Sequence, residues 1–415
     1  MNPRGSAPLT RRAGILLVLI LTCVPVLRLE PADARYRLAV LAVVAVTTLA
    51  VFLKDGGLAL QPRILPLGVS LVAVGTAANL RANDAYQWLA FGALVGIAGA
   101  GFVVGSSMAR HDVVRPVFRW LIAIVTAQAA YAVYEAREGI DPLWRGATVD
   151  SATGRSTPLR SELIEGYFRA QATYGHPLVL ASACLMAVVL VVTTDAVLKN
   201  SHRFLLVGVL SAGIVASGSR NAVIILAGVL LFVWGARNWR VTAARALFFG
   251  TPLAFIAVIL LWDRIQEFIG TGSFYHRAGA FDVVTKLFER RDLVPLMVGD
   301  GSASTPRLQR QGVLQSATFV AIDNQFILLF IQYGLLGLGL VAALILLGFR
   351  SKDRGLRLVM AVWLVQFFVF DVLAWPSAAM LLWLAVGIGA YTAPTAVPES
   401  VEDRPVERPY AQRRR

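Results

Sequence analysis

Cysteine is nearly absent from this 415-residue chain: Cys23 and Cys184 are the only two, and both stand inside apolar runs. Neither a disulfide framework nor a cysteine-ligated metal is expected. Histidine is almost as scarce. His111 and His202 fall in different loops from His176 and His276, and no close pair has metal-ligand spacing, so no metal site can be argued. No G-x-x-x-x-G-K-[ST] loop occurs, which leaves nucleotide hydrolysis unsupported. Charge is the last deficit. Only 15% of residues are charged against 57% hydrophobic, and mean hydropathy is +0.66, too little polar surface to cover a soluble globule.

What fills the chain instead is apolar sequence. Runs able to cross a ~30 Å hydrocarbon core, each needing about 17 to 25 residues of helix, recur along nearly the whole length. About twelve are expected, centred near Val18, Val44, Val72, Gly96, Ile124, Val188, Leu210, Leu226, Ile256, Leu336, Phe367 and Leu382. The fold class is therefore all-α: a single polytopic transmembrane domain over 1–391, followed by a Pro- and charge-rich tail, 392–415, with the composition of a disordered segment. Arg11 and Arg12 precede the first run, and Ala32-Asp33-Ala34 resembles a signal-peptidase site, but the many later spans favour a signal anchor.

Lys and Arg set the orientation, because short cytoplasmic loops retain positive charge during insertion. With the amino terminus inside, the inner loops collect Lys54 and Arg63, Arg110 to Arg119, Lys199 and Arg203, Arg237 to Arg245, Arg350 to Arg357, and the tail arginines. Both termini are then cytoplasmic. The net charge of +14 needs no nucleic-acid partner, since much of it is this bias facing anionic lipid headgroups.

Two long outer loops, about 136–176 and 263–322, are where chemistry could reside. Their basic residues include Arg160, Arg169, Arg277 and Arg307, and every one except Lys286 is Arg. Arg binds phosphate and carboxylate oxygens with a planar fork, so this preference suits anion recognition, although high-GC codon bias accounts for it equally well. In the second loop Ala280, Phe281, Val284, Leu287 and Phe288 share a helical face. Such a helix suits the bilayer interface, and equally suits packing on its own loop.

The most informative residue is Arg220. Ser217-Gly218-Ser219-Arg220-Asn221 is a tight break between the runs Phe204 to Ala216 and Ala222 to Gly235, which puts a permanent cation at a membrane surface. A lone Arg at the bilayer centre costs roughly 2.5 to 3.5 kcal/mol on insertion scales, so this one either reaches water or holds an anion.

In order along the second half of the chain, several segments resemble the bacterial O-antigen ligase and O-antigen polymerase superfamily of integral membrane glycosyltransferases. These are Arg169 with Thr173-Tyr174-Gly175-His176-Pro177, then Ser217-Gly218-Ser219-Arg220, then Arg277 with Pro295 to Gly301, then Asp323-Asn324-Gln325-Phe326 before Gly334-Leu335-Leu336-Gly337. The order and the topology carry the likeness, more than any single motif. The resemblance implies a polyprenyl-diphosphate-linked glycan donor, a glycan or lipid-linked acceptor, no cofactor or metal, and inverting transfer on the outer face of the bacterial cytoplasmic membrane. Among the outer-face arginines Arg220 and Arg277 are the first candidates for gripping the diphosphate and Arg169 the next; Arg169, Arg160, His176 and Asn324 are the candidate substrate-binding residues.

Preorganised cations would stabilise the departing diphosphate more in the transition state than in the ground state. Asp323 stands where ligase members typically carry a His. It could act as base, pair with an Arg, or cap the following helix, since Asp caps well. His176 has an alternative reading as an interfacial cap, and Asp371, before Trp375-Pro376, as a turn residue. The rival class is a transporter or flippase of lipid-linked or anionic substrates, which would place polar groups on broken mid-membrane helices. Neighbouring genes for a flippase and a chain-length regulator would favour a polymerase.

The topology is directly testable. Cysteine-accessibility labelling should find positions near Arg155 and Gln309 on the outer face, and positions near Asn238 and Asp353 on the inner face; the reverse pattern would overturn the orientation.

Overall fold

A computed structural model of the chain describes residues 64–82, 85–140, 148–150, 156–161, 163–193, 200–237, 285, 287–289, 292–302, 304–312 and 322–392. These residues are mostly helical. α1 (Ile64–Ala82), α2 (Ala85–Arg110) and α3 (Val114–Glu138) precede a short antiparallel pair, β1 (Thr148–Asp150) with β2 (Ser156–Pro158). Then come α4 (Pro177–Thr193), α5 (Asn200–Ala216), α6 (Arg220–Arg237), the short α7 (Leu293–Val298) and α8 (Thr305–Arg310), α9 (Gln325–Phe349), α10 (Arg354–Gln366) and α11 (Pro376–Thr392). The β pair is a small departure from an all-helical chain.

Among the described residues, four segments are long and apolar enough to cross a membrane: Ile64–Arg81, Gln87–Arg110, Val114–Glu138 and Gln325–Phe349. Shorter apolar helices accompany them at Pro177–Thr193, His202–Ala216, Arg220–Val233 and Pro376–Thr392. The expected centres Val72, Gly96, Ile124, Val188, Leu210, Leu226, Leu336 and Leu382 all fall inside these helices. The runs centred on Val18, Val44 and Ile256, the residue Arg277 and the tail from Ala393 lie outside the described residues.

The span expected around Phe367 is corrected. The helix there stops at Gln366, the chain turns through 367–371, a 3-10 turn covers Val372–Ala374, and α11 starts at Pro376. Hydropathy cannot register this break, because Phe367 to Leu373 is almost wholly apolar. Pro376 sets the restart and not the stop at Gln366: proline has no N–H and suits the first helical position, and it drives Trp375 before it into extended backbone (φ −107, ψ 110).

α4 is buried along almost its whole length, from Val179 to Val191, so it forms the axis of the bundle. α2 and α11 cross with almost no side chain between them. A Cβ on Gly105 would come 2.2 Å from the Leu384 carbonyl oxygen, and one on Gly387 would come 2.3 Å from that of Phe102. Ser106 Oγ donates to the Gly387 carbonyl at 3.3 Å across the same seam. Close approach of this kind is how helices associate in lipid, where burying an apolar face drives little and van der Waals contact and interhelical hydrogen bonds must serve instead.

α9 is broken within its length. Gly334 adopts φ 62, ψ −166, a conformation closed to ordinary residues, and the carbonyls of Ile331 and Gln332 accept from Asp300 N–H (3.0 Å) and Gly301 N–H (2.9 Å). The turn after α7 thus supplies donors from outside the helix at the break. The crossing is tight: a Cβ on Gly334 would meet the Met297 carbonyl oxygen at 2.3 Å. Leu287 and Phe288, from the expected amphipathic segment, dock on the first turns of α9, Leu287 in a cluster with Ile327 and Ile331 and Phe288 with its ring 5.2 Å from that of Phe330.

Glycine substitutions should therefore split by sign. Gly105→Val should lower the thermal midpoint of the detergent-purified protein, reflecting a loss of about 1–3 kcal/mol or more, because carbonyl backbone cannot retreat. Gly96→Ala, where a Cβ meets nothing within 4 Å, should hold or raise it, Ala being the better helix former by roughly 0.5–1 kcal/mol. Equal midpoints for the two variants would refute the packing described.

Candidate functional site

The end of the bundle where α3 and α5 finish and α4, α6, α9 and α11 begin gathers the residues of interest. Its organiser is the segment 159–176. Arg169 N–H donates to the Leu159 carbonyl (2.8 Å), Ser161 N–H to that of Tyr167 (2.9 Å), and Ala170 N–H to that of Ala216 at the end of α5 (3.0 Å). The last of these bonds lays Arg169 beside the Ser217-Gly218-Ser219-Arg220 turn.

Arg169 Nε donates to the Ser217 carbonyl at 3.1 Å. Its side chain also covers Gly218, where a Cβ would meet Arg169 Cγ at 2.8 Å and where φ is +66, so Gly218 serves both the turn and the contact. Ser219 caps α6, its Oγ accepting from Ala222 N–H at 3.3 Å and its carbonyl from Val223 N–H. Arg220, half-buried, is the first residue of α6. Arg169 and Arg220 therefore share one turn, although they are far apart in sequence. Arg160 is exposed and pairs across the chain with Phe168, which places it on the opposite face of that pairing from Arg169.

What shapes this loop is a residue the sequence reading overlooked. Glu135, 3% exposed in the last turn of α3, accepts from Gln171 N–H at 2.9 Å and from Ala172 N–H at 2.8 Å, one bond to each carboxylate oxygen. Ala172 takes a left-handed conformation, φ 49, within this clasp. One helical stretch earlier, Gln128 Nε2 donates to Thr173 Oγ1 at 2.6 Å. The available signal was an ionisable residue inside an apolar span, which marks a site by default. Tyr174 is fully buried beside them, and burial pushes its phenol well above the ordinary range, so it stays neutral.

At the far end of the loop, His176 caps α4. Its carbonyl accepts from Val179 and Leu180 N–H, and its Nδ1 accepts from Leu178 N–H at 3.2 Å. Its ring lies 4.1 Å from that of Trp375 and stacks 5.8 Å from that of Phe370. Trp375 Nε1 donates to Asp371 Oδ1 at 3.0 Å.

The same 366–375 turn holds the start of α9. Gln325 N–H donates to the Phe367 carbonyl (2.8 Å), Leu373 N–H to Gln325 Oε1 (2.7 Å), and Asn324 Nδ2 to the Phe368 carbonyl (3.4 Å). Asn324 is the cap of α9, accepting from Ile327 N–H at 3.1 Å, and is 5% exposed. The capping alternative for Asp323 is thus corrected: its neighbour performs that role, and Asp323 itself is exposed one residue earlier.

A second polar cluster lies beside the α9 break. Ser302 N–H donates to Asn79 Oδ1 at 3.0 Å, Ser302 Oγ shares a hydrogen bond with Tyr333 Oη at 2.7 Å, and Asn79 Nδ2 donates to the Gly75 carbonyl. Arg307 Nη2 donates to the Asp300 carbonyl at 2.9 Å. This cluster joins α1, α9 and the second loop. No group of His, Cys, Asp and Glu suited to a metal ion is found among the described residues.

A mostly helical bundle, with helices of membrane-spanning length and a polar, arginine-bearing end, defines a polytopic membrane protein. No protein-family model matches the chain, and none of the curated proteins matches it.

The Glu135 clasp makes a sharp prediction. Glu135→Ala strands two buried amide N–H groups, at about 1–3 kcal/mol each, and should lower the thermal midpoint and expose 160–176 to limited proteolysis. Glu135→Gln, which retains one acceptor oxygen, should fall between. Unchanged proteolysis in Glu135→Ala would show that the loop is held by other means.

Proposed function

We propose that the protein is a glycosyltransferase of the O-antigen ligase and polymerase type. It acts on a polyprenyl-diphosphate-linked glycan at the outer face of the bacterial cytoplasmic membrane, with both termini cytoplasmic. The observation that carries this reading is the meeting of Arg169 and Arg220 at one turn, with the Arg169 guanidinium anchored to the Ser217 carbonyl. Those two residues come from different motifs of the resemblance, and in this reading one anion engages both.

In this reading the two arginines hold the diphosphate by charge-assisted bonds, and Arg277 is assigned to the same task. The acceptor hydroxyl oxygen attacks the anomeric carbon from the face opposite the leaving group. The carbon–oxygen bond to the diphosphate breaks with inversion, the lipid diphosphate leaves with the electron pair, and the hydroxyl proton passes to Asp323. Fixed cations at the leaving group favour the transition state, where the negative charge develops. Arg160 and Asn324 enter more weakly as substrate contacts, because Asn324 is occupied as a cap and Arg160 lies on the other face.

One observation favours the rival reading of a transporter or flippase: α9 is a broken helix with polar residues beside the break. Against it, the carbonyls of Ile331 and Gln332 at the break already accept protein N–H groups, which leaves them poor ligands for a transported ion.

Transfer measured in proteoliposomes with matched protein abundance decides the matter. Arg220→Ala should abolish product while insertion stays normal, and Arg220→Lys should fail substantially too, because a point charge does not replace a fork. Asp323→Asn should lower turnover by ~10² or more with donor binding little changed if Asp323 takes the proton. Near-normal product from Arg220→Ala would reject the site, and net movement of lipid-linked sugar without transfer would establish the transporter.

A further inference from the structure

Away from the arginine turn, α1, α2, α9 and α11 surround a cavity of about 450 Å³ that the proposed chemistry leaves unused. We infer that it is a binding site for one acyl chain of a membrane glycerophospholipid. This inference stands independently of the glycosyltransferase reading.

The chemistry of the wall selects the guest. Among the described residues it is built from side chains such as Ile64, Val69, Leu94, Phe102, Leu329 and Leu344, without a charged residue. Its side-chain heteroatoms are the Tyr333 hydroxyl and the Trp383 indole nitrogen. The hydroxyl is already bonded to Ser302 Oγ at 2.7 Å. A sugar, a diphosphate or an ion would shed its hydration here and find almost nothing in return, which excludes all three. Water does not fill such a space, whereas apolar guests do.

The size is that of one chain. Along α2 the wall runs from Phe91 to Val103, about 18 Å of helix, against about 15 Å for half of a ~30 Å hydrocarbon core. At ~30 Å³ for a water-sized group the volume holds about fifteen such groups. A methylene is close to that size, so one acyl chain fits and the far longer chain of a polyprenyl lipid does not.

The same wall shows where a chain enters and what makes room for it. Leu65, Val69 and Val72 form an i, i+4, i+7 stripe on α1 and line the cavity, yet they are 53%, 59% and 41% exposed. The cavity is therefore open along α1, and a chain reaches it sideways from the bilayer. Gly68 on α1 and Gly99 on α2 also line it, and a Cβ on either would meet nothing within 4 Å. Glycine is a poor residue for a helix interior, and no neighbouring helix requires it at these two positions, in contrast to Gly105 and Gly387. A chain lying between them gives the missing side chains a use. It touches four helices at once, which a lipid on a convex helix face does not, so it outlasts purification. Asn79, on the same α1, holds Ser302 beside the break in α9, and the bound chain braces that junction.

The test uses the full-length protein in mild detergent, with native mass spectrometry to count retained lipids. The probe is phosphatidylethanolamine carrying a photoreactive diazirine on its acyl chain. Gly68→Leu and Gly99→Leu fill the cavity from different walls, and Gly96→Leu makes the same change on α2 at a position that does not line it. Wild type and Gly96→Leu should retain one phospholipid, and both filling variants should lose it about tenfold or more. Added phosphatidylethanolamine should raise the thermal midpoint of wild type and leave those of the filling variants unmoved. In wild type the photoprobe should label the α1 stripe, a readout that needs no variant to fold.

Equal retention in all four proteins, or labelling confined to helices that do not line the cavity, overturns the site. A retained polyprenyl lipid in place of the phospholipid overturns it in favour of a groove for the donor's tail. A wild-type protein with neither retained lipid nor labelled stripe overturns it in favour of a cavity closed by protein.

Discussion

Two backbone amides, Gln171 and Ala172, end on the two oxygens of the Glu135 carboxylate, and the arrangement of the whole bundle end depends on that clasp. An irregular loop packed among membrane helices must find partners for every N–H, because neither water nor lipid will supply them there. Glu135 meets that demand from the last turn of α3. Once the loop is fixed, Arg169 at one end lies on the Ser217 carbonyl and His176 at the other caps α4 against Trp375. Three helices and both halves of the candidate site are thereby referred to one side chain.

The crossing of Gly299 and Gly334 solves the same problem without a side chain. A Cβ on Gly299 would come 2.4 Å from the Gln332 carbonyl carbon, so the two segments touch backbone to backbone. The amides of Asp300 and Gly301 are bound at the break in α9, and Arg307 secures the turn that bears them. The second loop is consequently joined to the helix that Asp323 and Asn324 precede. In both places a polar requirement of the backbone decides the geometry, and the arginines and the aromatic cluster take up positions that follow from it.

The helical membrane class was legible because apolar run length is the strongest signal that such a chain emits. The adjacency of Ser219 and Arg220 to a tight turn was legible too, since Gly218 between two serines allows little else. The break after Gln366 was hidden by Phe367 to Phe370, whose hydropathy is that of a span; Asp371 and Pro376, further on, were the local signs. Sequence spacing could not separate Asp323 from Asn324 as the cap, because both side chains suit it and only the entry angle of the chain chooses. Glu135 and Trp375 escaped notice for a different reason. Glu135 finds its partner 36 residues on and the Trp375 ring lies against His176 from a distant segment, and no local pattern encodes such contacts.

The break in α9 has a mechanical consequence. As a continuous rod its 25 residues would measure about 37 Å, longer than a ~30 Å hydrocarbon layer. A straight helix of that length answers a thinner bilayer by tilting as one piece, and its first turns swing with it. With the joint at Gly334 and the first turns of α9 bonded to Asp300 and Gly301, a change of tilt in the remainder of the helix need not carry those turns with it. A joint so placed would let the residues that open α9 keep their geometry when acyl-chain composition, and with it bilayer thickness, shifts with growth temperature.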